Sequence, residues 1–236
     1  MGFPRAILID LDDTILDDSS NVDGCWADAC AQLADRIEVD LASMHREFRA
    51  QADAYWSDPE LNRIGRLSLR AATRAVLERA LVALRHPDNG LARDLAEHYR
   101  DLREERARLF PGVTQALERL RSGGVRLGMM TNGAADAQRA KIERFGLDRY
   151  FDHIVIEGEF GAGKPDRRVY ETLLGTLGTD PADAWAIGDN LEFDVLAPMG
   201  LGLHGIWVDA SGRGCDGRSE RPHRILTAFT EILAAC

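Results

Sequence analysis

Lysine is almost missing from this chain of 236 residues: the 29 basic side chains comprise 27 arginines and only two lysines, Lys141 and Lys164. Where arginine is so strongly preferred, a lysine marks a place that needs a compact ammonium rather than a planar fork. Long hydrophobic runs are also absent. The longest span a few residues, against the roughly 20 needed to cross a bilayer, and the start Met1-Gly2-Phe3-Pro4-Arg5 shows no signal-peptide pattern. No membrane partner is expected. The four cysteines (Cys25, Cys30, Cys215, Cys236) form no CxxC pair and no zinc-ligand spacing, and four in this length make no disulfide framework. A cytoplasmic location fits them best. Basic charge is in deficit, 29 against 39 acidic groups for a net of −10, which disfavours a phosphate-backbone-binding surface and hence a nucleic-acid partner. Hydrophobic residues at 45% and charged residues at 29% are ordinary for a folded globular chain, and neither repeats nor low-complexity tracts appear.

Ala6-Ile7-Leu8-Ile9 is a short apolar run bounded by acidic turn-formers and reads as a strand buried on both faces. From about Asn21 to Arg108 the periodicity turns helical, predicting four helices with breaks at Asp58-Pro59 and at His86-Pro87-Asp88-Asn89-Gly90. After Phe110-Pro111-Gly112, helices and strands alternate, ending in a helix from about Pro222 to Ala234. That alternation predicts an α/β fold, a doubly wound parallel sheet with helices on both faces. The helical block then becomes an insertion, giving a core of residues 1–16 and 107–236 and a small helical bundle of residues 17–106. The Gly-rich stretch 211–219 reads as a mobile surface loop.

In a parallel α/β sheet, ligands bind beyond the carboxyl ends of the strands. The residues there are Asp10-Leu11-Asp12-Asp13-Thr14 after the first strand, Thr131-Asn132-Gly133 after the second, then Lys164-Pro165, and Gly188-Asp189-Asn190 followed by Asp194. Asp10 and Asp12, two apart in extended chain, face the same side. With Asp189 they offer hard oxygens suited to Mg²⁺. With a metal and Lys164 neutralising a phosphate, one carboxylate can attack phosphorus while the other manages the leaving-group proton. The Thr131 hydroxyl and nearby backbone N–H groups complete an anion site.

Taken in order, Asp10-x-Asp12-Asp13-Thr14, Thr131-Asn132, Lys164-Pro165 and Gly188-Asp189-x₄-Asp194 resemble the four motifs of the haloacid dehalogenase (HAD) superfamily, with a Rossmann-like core. The helical insert resembles that superfamily's helical cap. Gly-Asp-Asn-Leu-Glu-Phe-Asp at 188–194 is similar to the nucleotidase and N-acylneuraminate-9-phosphatase branch. The resemblance implies Asp10 as the nucleophile that forms an aspartyl-phosphate and Asp12 as the acid and base, which also lends a backbone carbonyl to Mg²⁺. It further implies Asp10 and Asp189 as metal ligands with Asp194 in support, Thr131 and Asn132 as phosphate binders, and Lys164 as counter-charge. The implied substrate is a small phosphorylated metabolite, handled by a monomer or homodimer with the cap acting as a lid.

Other functions remain open at this level. A phosphosugar mutase shares the motifs; a 2-haloacid dehalogenase needs neither metal nor leaving-group acid, and Asp12 speaks against it. Phosphonate cleavage with a Schiff-base lysine in the cap is excluded, because no lysine precedes Lys141. A phospho-accepting regulatory module carries similar residues, but its acceptor ends the third strand. Arg63, Arg66 and Arg70 in the insert are candidates to reach an anionic substrate, whereas Tyr55 and Trp56 read as core.

Overall fold

The computed structural model describes residues 3–215 and 219–235; residues 1, 2 and 236 and residues 216–218, within the stretch read as a surface loop, fall outside it. The chain divides into two compact units, Met1–Asp17 with Arg108–Cys236, and Asp18–Ala107. The first unit begins with β1 (Ala6–Ile9) and a two-residue β2 (Leu16–Asp17). The second unit consists of α1 (Val22–Gln32), α2 (Leu41–Ser57), α3 (Pro59–Gly65), α4 (Leu69–Ala83) and α5 (Leu91–Arg106). The first unit resumes with β3 (Arg108–Leu109), α6 (Val113–Ser122), β4 (Arg126–Thr131), α7 (Ala135–Arg144), β5 (His153–Ile156), α8 (Glu157–Phe160) and α9 (Arg167–Leu177). It ends with β6 (Ala184–Gly188), a π-helical turn over Leu191–Leu196, α10 (Ala197–Met199), β7 (His204–Val208), β8 (Arg224–Leu226) and a 3₁₀ segment, Phe229–Ala235.

Six parallel strands form the core sheet in the order β5-β4-β1-β6-β7-β8. The pleat sends alternate residues of β1 to opposite faces. Ile7 and Ile9 join the layer containing Val113, Leu117 and Leu120 of α6 and Ile142 of α7. Ala6 and Leu8 join the opposite layer with Val169, Tyr170 and Leu173 of α9. Burial on both sides explains why β1 is a continuous apolar run rather than an alternating one. This is the doubly wound sheet that the alternation predicted. β2 and β3 pair antiparallel in a separate two-stranded ribbon.

The predicted C-terminal helix is not formed. Arg224–Leu226 instead adds a parallel edge strand beside β7, pairing Ile206 with Arg224 and Val208 with Leu226. Only Phe229–Ala235 winds helically, and it does so as a 3₁₀ segment, whose three-residue turn stacks the buried Phe229 and Ile232 on one side.

In the second unit five helices replace the predicted four. Asp58 ends α2 and at once caps α3, accepting from the Glu60 and Leu61 N–H groups with Pro59 in the first turn. The break was visible, but not the short helix beyond it. The core of this unit is aromatic: Trp26 stacks on Phe48 at 4.3 Å between centroids, and Tyr99 meets both rings edge-on. Among the described residues no helix is long and apolar enough to cross a membrane.

Candidate active site

The sheet order reverses at β1, whose neighbours β4 and β6 lead away in opposite directions, so the crevice at its carboxyl end is the expected ligand site. Asp10 stands there, and its N–H extends the ladder to the Ile187 carbonyl at 3.0 Å. The chain then folds back sharply. Asp13 takes a left-handed φ of 57°, its N–H bonds the Leu16 carbonyl, and Leu16 N–H returns to the Leu11 carbonyl. This turn brings Thr14 beneath the nucleophile candidate. The Thr14 hydroxyl donates to Asp10 Oδ2 at 2.9 Å and accepts the Asp189 N–H at 3.0 Å, tying the ends of β1 and β6 together.

Lys164 closes the other side. Its Nζ lies 2.6 Å from Asp10 Oδ1 and 2.6 Å from Asp194 Oδ1, and all three side chains are buried. Burial pulls the Lys164 ammonium down, but the two carboxylates more than reverse this and hold it protonated. Asp10 is pushed up by burial and by Asp194 and Asp189, against the pull of Lys164. Asp189 is raised to about 7, chiefly by burial, then by Asp194 and Asp13.

One oxygen from each of Asp10, Asp189 and Asp194 lies within 4.8 Å of the others. Three crowded carboxylates with one ammonium leave an excess of negative charge, and hard oxygen donors in this arrangement fit Mg²⁺. Because Asp189, raised to about 7, and Asp10, also raised, must shed their protons to bind metal, Mg²⁺ affinity is expected to rise with pH through about 7. Calorimetric titration from pH 5.5 to 8.5 tests this, and a pH-independent affinity would contradict it.

Asp12 stands outside that trio. Its Oδ1 receives Lys141 Nζ at 2.7 Å and its Oδ2 the Gln138 amide at 2.8 Å, both from α7. Gln138 also donates to the Thr131 hydroxyl, so Asp12 and the end of β4 share one donor. The Asn132 side chain is committed to the main chain of Lys164, donating to its carbonyl at 2.9 Å and accepting from its N–H at 2.7 Å. The Lys164-Pro165 peptide is cis. Buried Glu157 accepts the Gly133 N–H, fixing the loop after β4.

A model of haloacid dehalogenase-like hydrolases matches residues 4–200. The chain belongs to this family of HAD-like hydrolases. Its relatives include phosphatases. It is 30% identical to a phosphoserine phosphatase from Thermus thermophilus over 94% of this chain and 95% of that one. It is also 37% identical to the mouse (Mus musculus) N-acylneuraminate-9-phosphatase, over 47% of this chain and 45% of that one. Among solved structures, the magnesium-bound HAD hydrolase YfnB from Bacillus subtilis superimposes with a TM-score of 0.78 at 19% identity, covering 99% of this chain and 98% of that one. A 2-haloacid dehalogenase from Pseudomonas syringae pv. Tomato DC3000 follows the same fold, with a TM-score of 0.65 at 23% identity and coverage of 98% and 97%.

The structure brings the candidate residues Asp10, Asp12, Thr131, Asn132, Lys164, Asp189 and Asp194 together in one unit, with Thr14, Gln138, Lys141 and Glu157 beside them. Lys141 carried a signal, being the only other lysine. Gln138 lies three residues before it and so on the same helical face. In the helical unit, Arg63 pairs with Glu60, and Arg70 with Glu97, Asp101 and Glu104. Arg66 Nη1 lies 3.5 Å from Asn62 Oδ1.

Glycine is required at 188 for a close approach. A Cβ there would lie 2.4 Å from the Asp194 side chain. Gly188→Ala is expected to displace Asp194 from Lys164 and lower kcat by roughly 10- to 100-fold, since small misplacements at a reacting centre cost that much. Steady-state kinetics at saturating Mg²⁺ checks this; unchanged kcat would remove Asp194 from the machinery.

Proposed function

We propose that this HAD-like hydrolase is a Mg²⁺-dependent phosphatase of small phosphomonoesters, acting through an aspartyl-phosphate on Asp10. The observation that carries the reading is the division of two carboxylates between two environments. Asp10 is buried against Lys164, and Asp12 is held by Gln138 and Lys141. Mg²⁺ held by Asp10 and Asp189, with Asp194 in support and the Asp12 carbonyl beside them, would offset the charge on the phosphate oxygens. A carboxylate oxygen of Asp10 attacks phosphorus, forming the acyl-phosphate bond as the ester oxygen leaves. Asp12 gives the leaving oxygen its proton. Asp12, now ionised, then takes a proton from water as the water oxygen attacks phosphorus and the Asp10–phosphate bond breaks. Lys164 favours the ionised form of Asp10 against the burial that opposes it, and stands beside the phosphate afterwards. Thr131 and the backbone after β4 contribute to seating the phosphate, while the Asn132 side chain acts by fixing the Lys164 loop.

The expected partner is a small phosphorylated metabolite, with neither nucleic acid nor membrane, in a cytoplasmic monomer or homodimer. The test is phosphate release from p-nitrophenyl phosphate and from a panel of sugar, nucleotide, sialic acid and amino-acid phosphates, with and without Mg²⁺. Metal-dependent release supports the phosphatase, and the panel ranks substrates. Interconversion of sugar phosphates without net release would transfer the assignment to a mutase, and halide release from 2-chloropropionate without metal to a dehalogenase. An acyl-phosphate persisting for minutes would favour a regulatory module.

A further inference from the structure

The helical unit carries a partly open cavity of about 330 Å³ that the candidate catalytic residues do not line. That volume lies at the low end of small-molecule sites. One wall is apolar and aromatic, with Phe48, Trp56, Leu69, Val76 and Tyr99, and the rest is polar, including Asp18, Arg49 and Asp53. Arg100 also lines it, and is only 5% exposed.

The charges around the cavity do not balance locally. Arg103 places Nη2 2.6 Å from Asp18 Oδ2 and also binds the Asp18 carbonyl, so these two groups answer each other. Arg49 leans out to Asp23 at 3.5 Å, and Asp53 is exposed at the rim. Among the described residues no carboxylate forms an ion pair with Arg100, and its Nε is buried with no acceptor. Burial, and secondarily the Arg103 guanidinium, make the charged form of Arg100 costly, and the nearby Asp18 and Glu104 carboxylates offset this only in part. A buried guanidinium with no direct ion pair and an unsatisfied Nε is destabilising by itself, and such groups are retained where a ligand completes them.

From this we infer that the cavity of the helical unit is a binding site for a small amphipathic carboxylate, its anionic head on Arg100 and its apolar body against the aromatic wall. A carboxylate matches the guanidinium fork by paired charge-assisted hydrogen bonds. The apolar wall favours a short aliphatic or aromatic body over a strongly hydrated one. Two sources share this chemistry: a carboxylate on the molecule being hydrolysed, and a separate carboxylic acid.

The experiment is binding of hexanoate and of its uncharged counterpart hexanol to the full chain, followed by calorimetry and by fluorescence of Trp56 against a Trp56→Phe control. Hexanoate is expected to bind saturably, about tenfold tighter than hexanol. Arg100→Met, which keeps the apolar bulk, should abolish that preference while hexanol binding stays. It should also leave Tm unchanged or raise it, because it removes a buried charge that has no direct ion pair. Arg100→Lys keeps the charge without the fork and should retain part of the preference. Equal affinity for acid and alcohol, no saturable hexanoate binding, or unaltered hexanoate binding in Arg100→Met would each overturn the proposal. So would a Tm loss of several degrees in Arg100→Met, which marks a structural arginine. The source is read from turnover. Hexanoate raising KM for phosphoglycolate but not for p-nitrophenyl phosphate assigns the carboxylate to the substrate, and no effect on either assigns it to a separate ligand. Only this last arm rests on the phosphatase reading, since binding needs no turnover.

Discussion

Asp10→Asn should lower phosphate release by on the order of 10⁴-fold or more while leaving a folded protein, because it deletes the attacking oxygen and not the surrounding frame. The amide is nearly isosteric, and the Lys164 pair with Asp194 persists without Asp10. The substitution also takes one charge from three carboxylate groups whose oxygens lie within 4.8 Å of one another, so Mg²⁺ should bind more weakly. Three readouts separate these effects: Tm, Mg²⁺ affinity by calorimetry, and phosphate release at Mg²⁺ concentrations saturating for the variant. Activity restored merely by adding metal would make Asp10 a metal ligand and not the nucleophile. Residual activity within tenfold of the parent would end the aspartyl-phosphate mechanism altogether.

Asp12→Asn is expected to cost about 10²- to 10⁴-fold on an alkyl phosphate, the usual worth of a positioned proton donor. The loss in the first step should be smaller on p-nitrophenyl phosphate, whose leaving group departs readily as an anion. Water activation suffers with either substrate, so phosphorylated protein should accumulate and be trapped by acid quench. Lys141→Met should show the same pattern more mildly, about 10- to 100-fold in kcat with KM changed less than threefold. Lys141 acts through Asp12, to which it is bound at 2.7 Å, and so is a positioning residue. Added to Asp12→Asn, Lys141→Met should therefore cost almost nothing further. If the two losses instead multiply, Lys141 works on some other group, and its contact with Asp12 is incidental.

The part of the site that could be read from sequence follows from local signals. Asp10, Thr131 and Asp189 each stand at or just beyond the end of an apolar run, and burial on both faces makes such continuous runs conspicuous. Gln138 and Lys141 were harder, because they lie on a helix whose direction relative to β1 only the folded sheet fixes. The rarity of lysine was the one clue, and it had been spent on Lys164. The β2–β3 ribbon joins residues 16–17 to 108–109, a pairing of two residues per strand with no periodicity to detect. At the C-terminus, Ile225, Leu226, Phe229, Ile232 and Leu233 fit a helical stripe. What decided otherwise was the open edge of β7, which accepted Arg224–Leu226 as a partner. The cavity arginine was hidden for a different reason. Among 27 arginines nothing local in the sequence distinguishes Arg100; its buried, unpartnered Nε in the folded chain does.

Two lysines, each ion-paired to a carboxylate of the site, also give this chain an unusual spectroscopic property. Reductive methylation with isotope-labelled formaldehyde would place side-chain probes at Lys141 and Lys164 alone, besides a label on any free α-amino group, and at 11% and 4% exposure the first should react ahead of the second. Phosphate, metal and carboxylate titrations could then be followed from inside the reaction centre against a spectrum with no other lysine signals to assign.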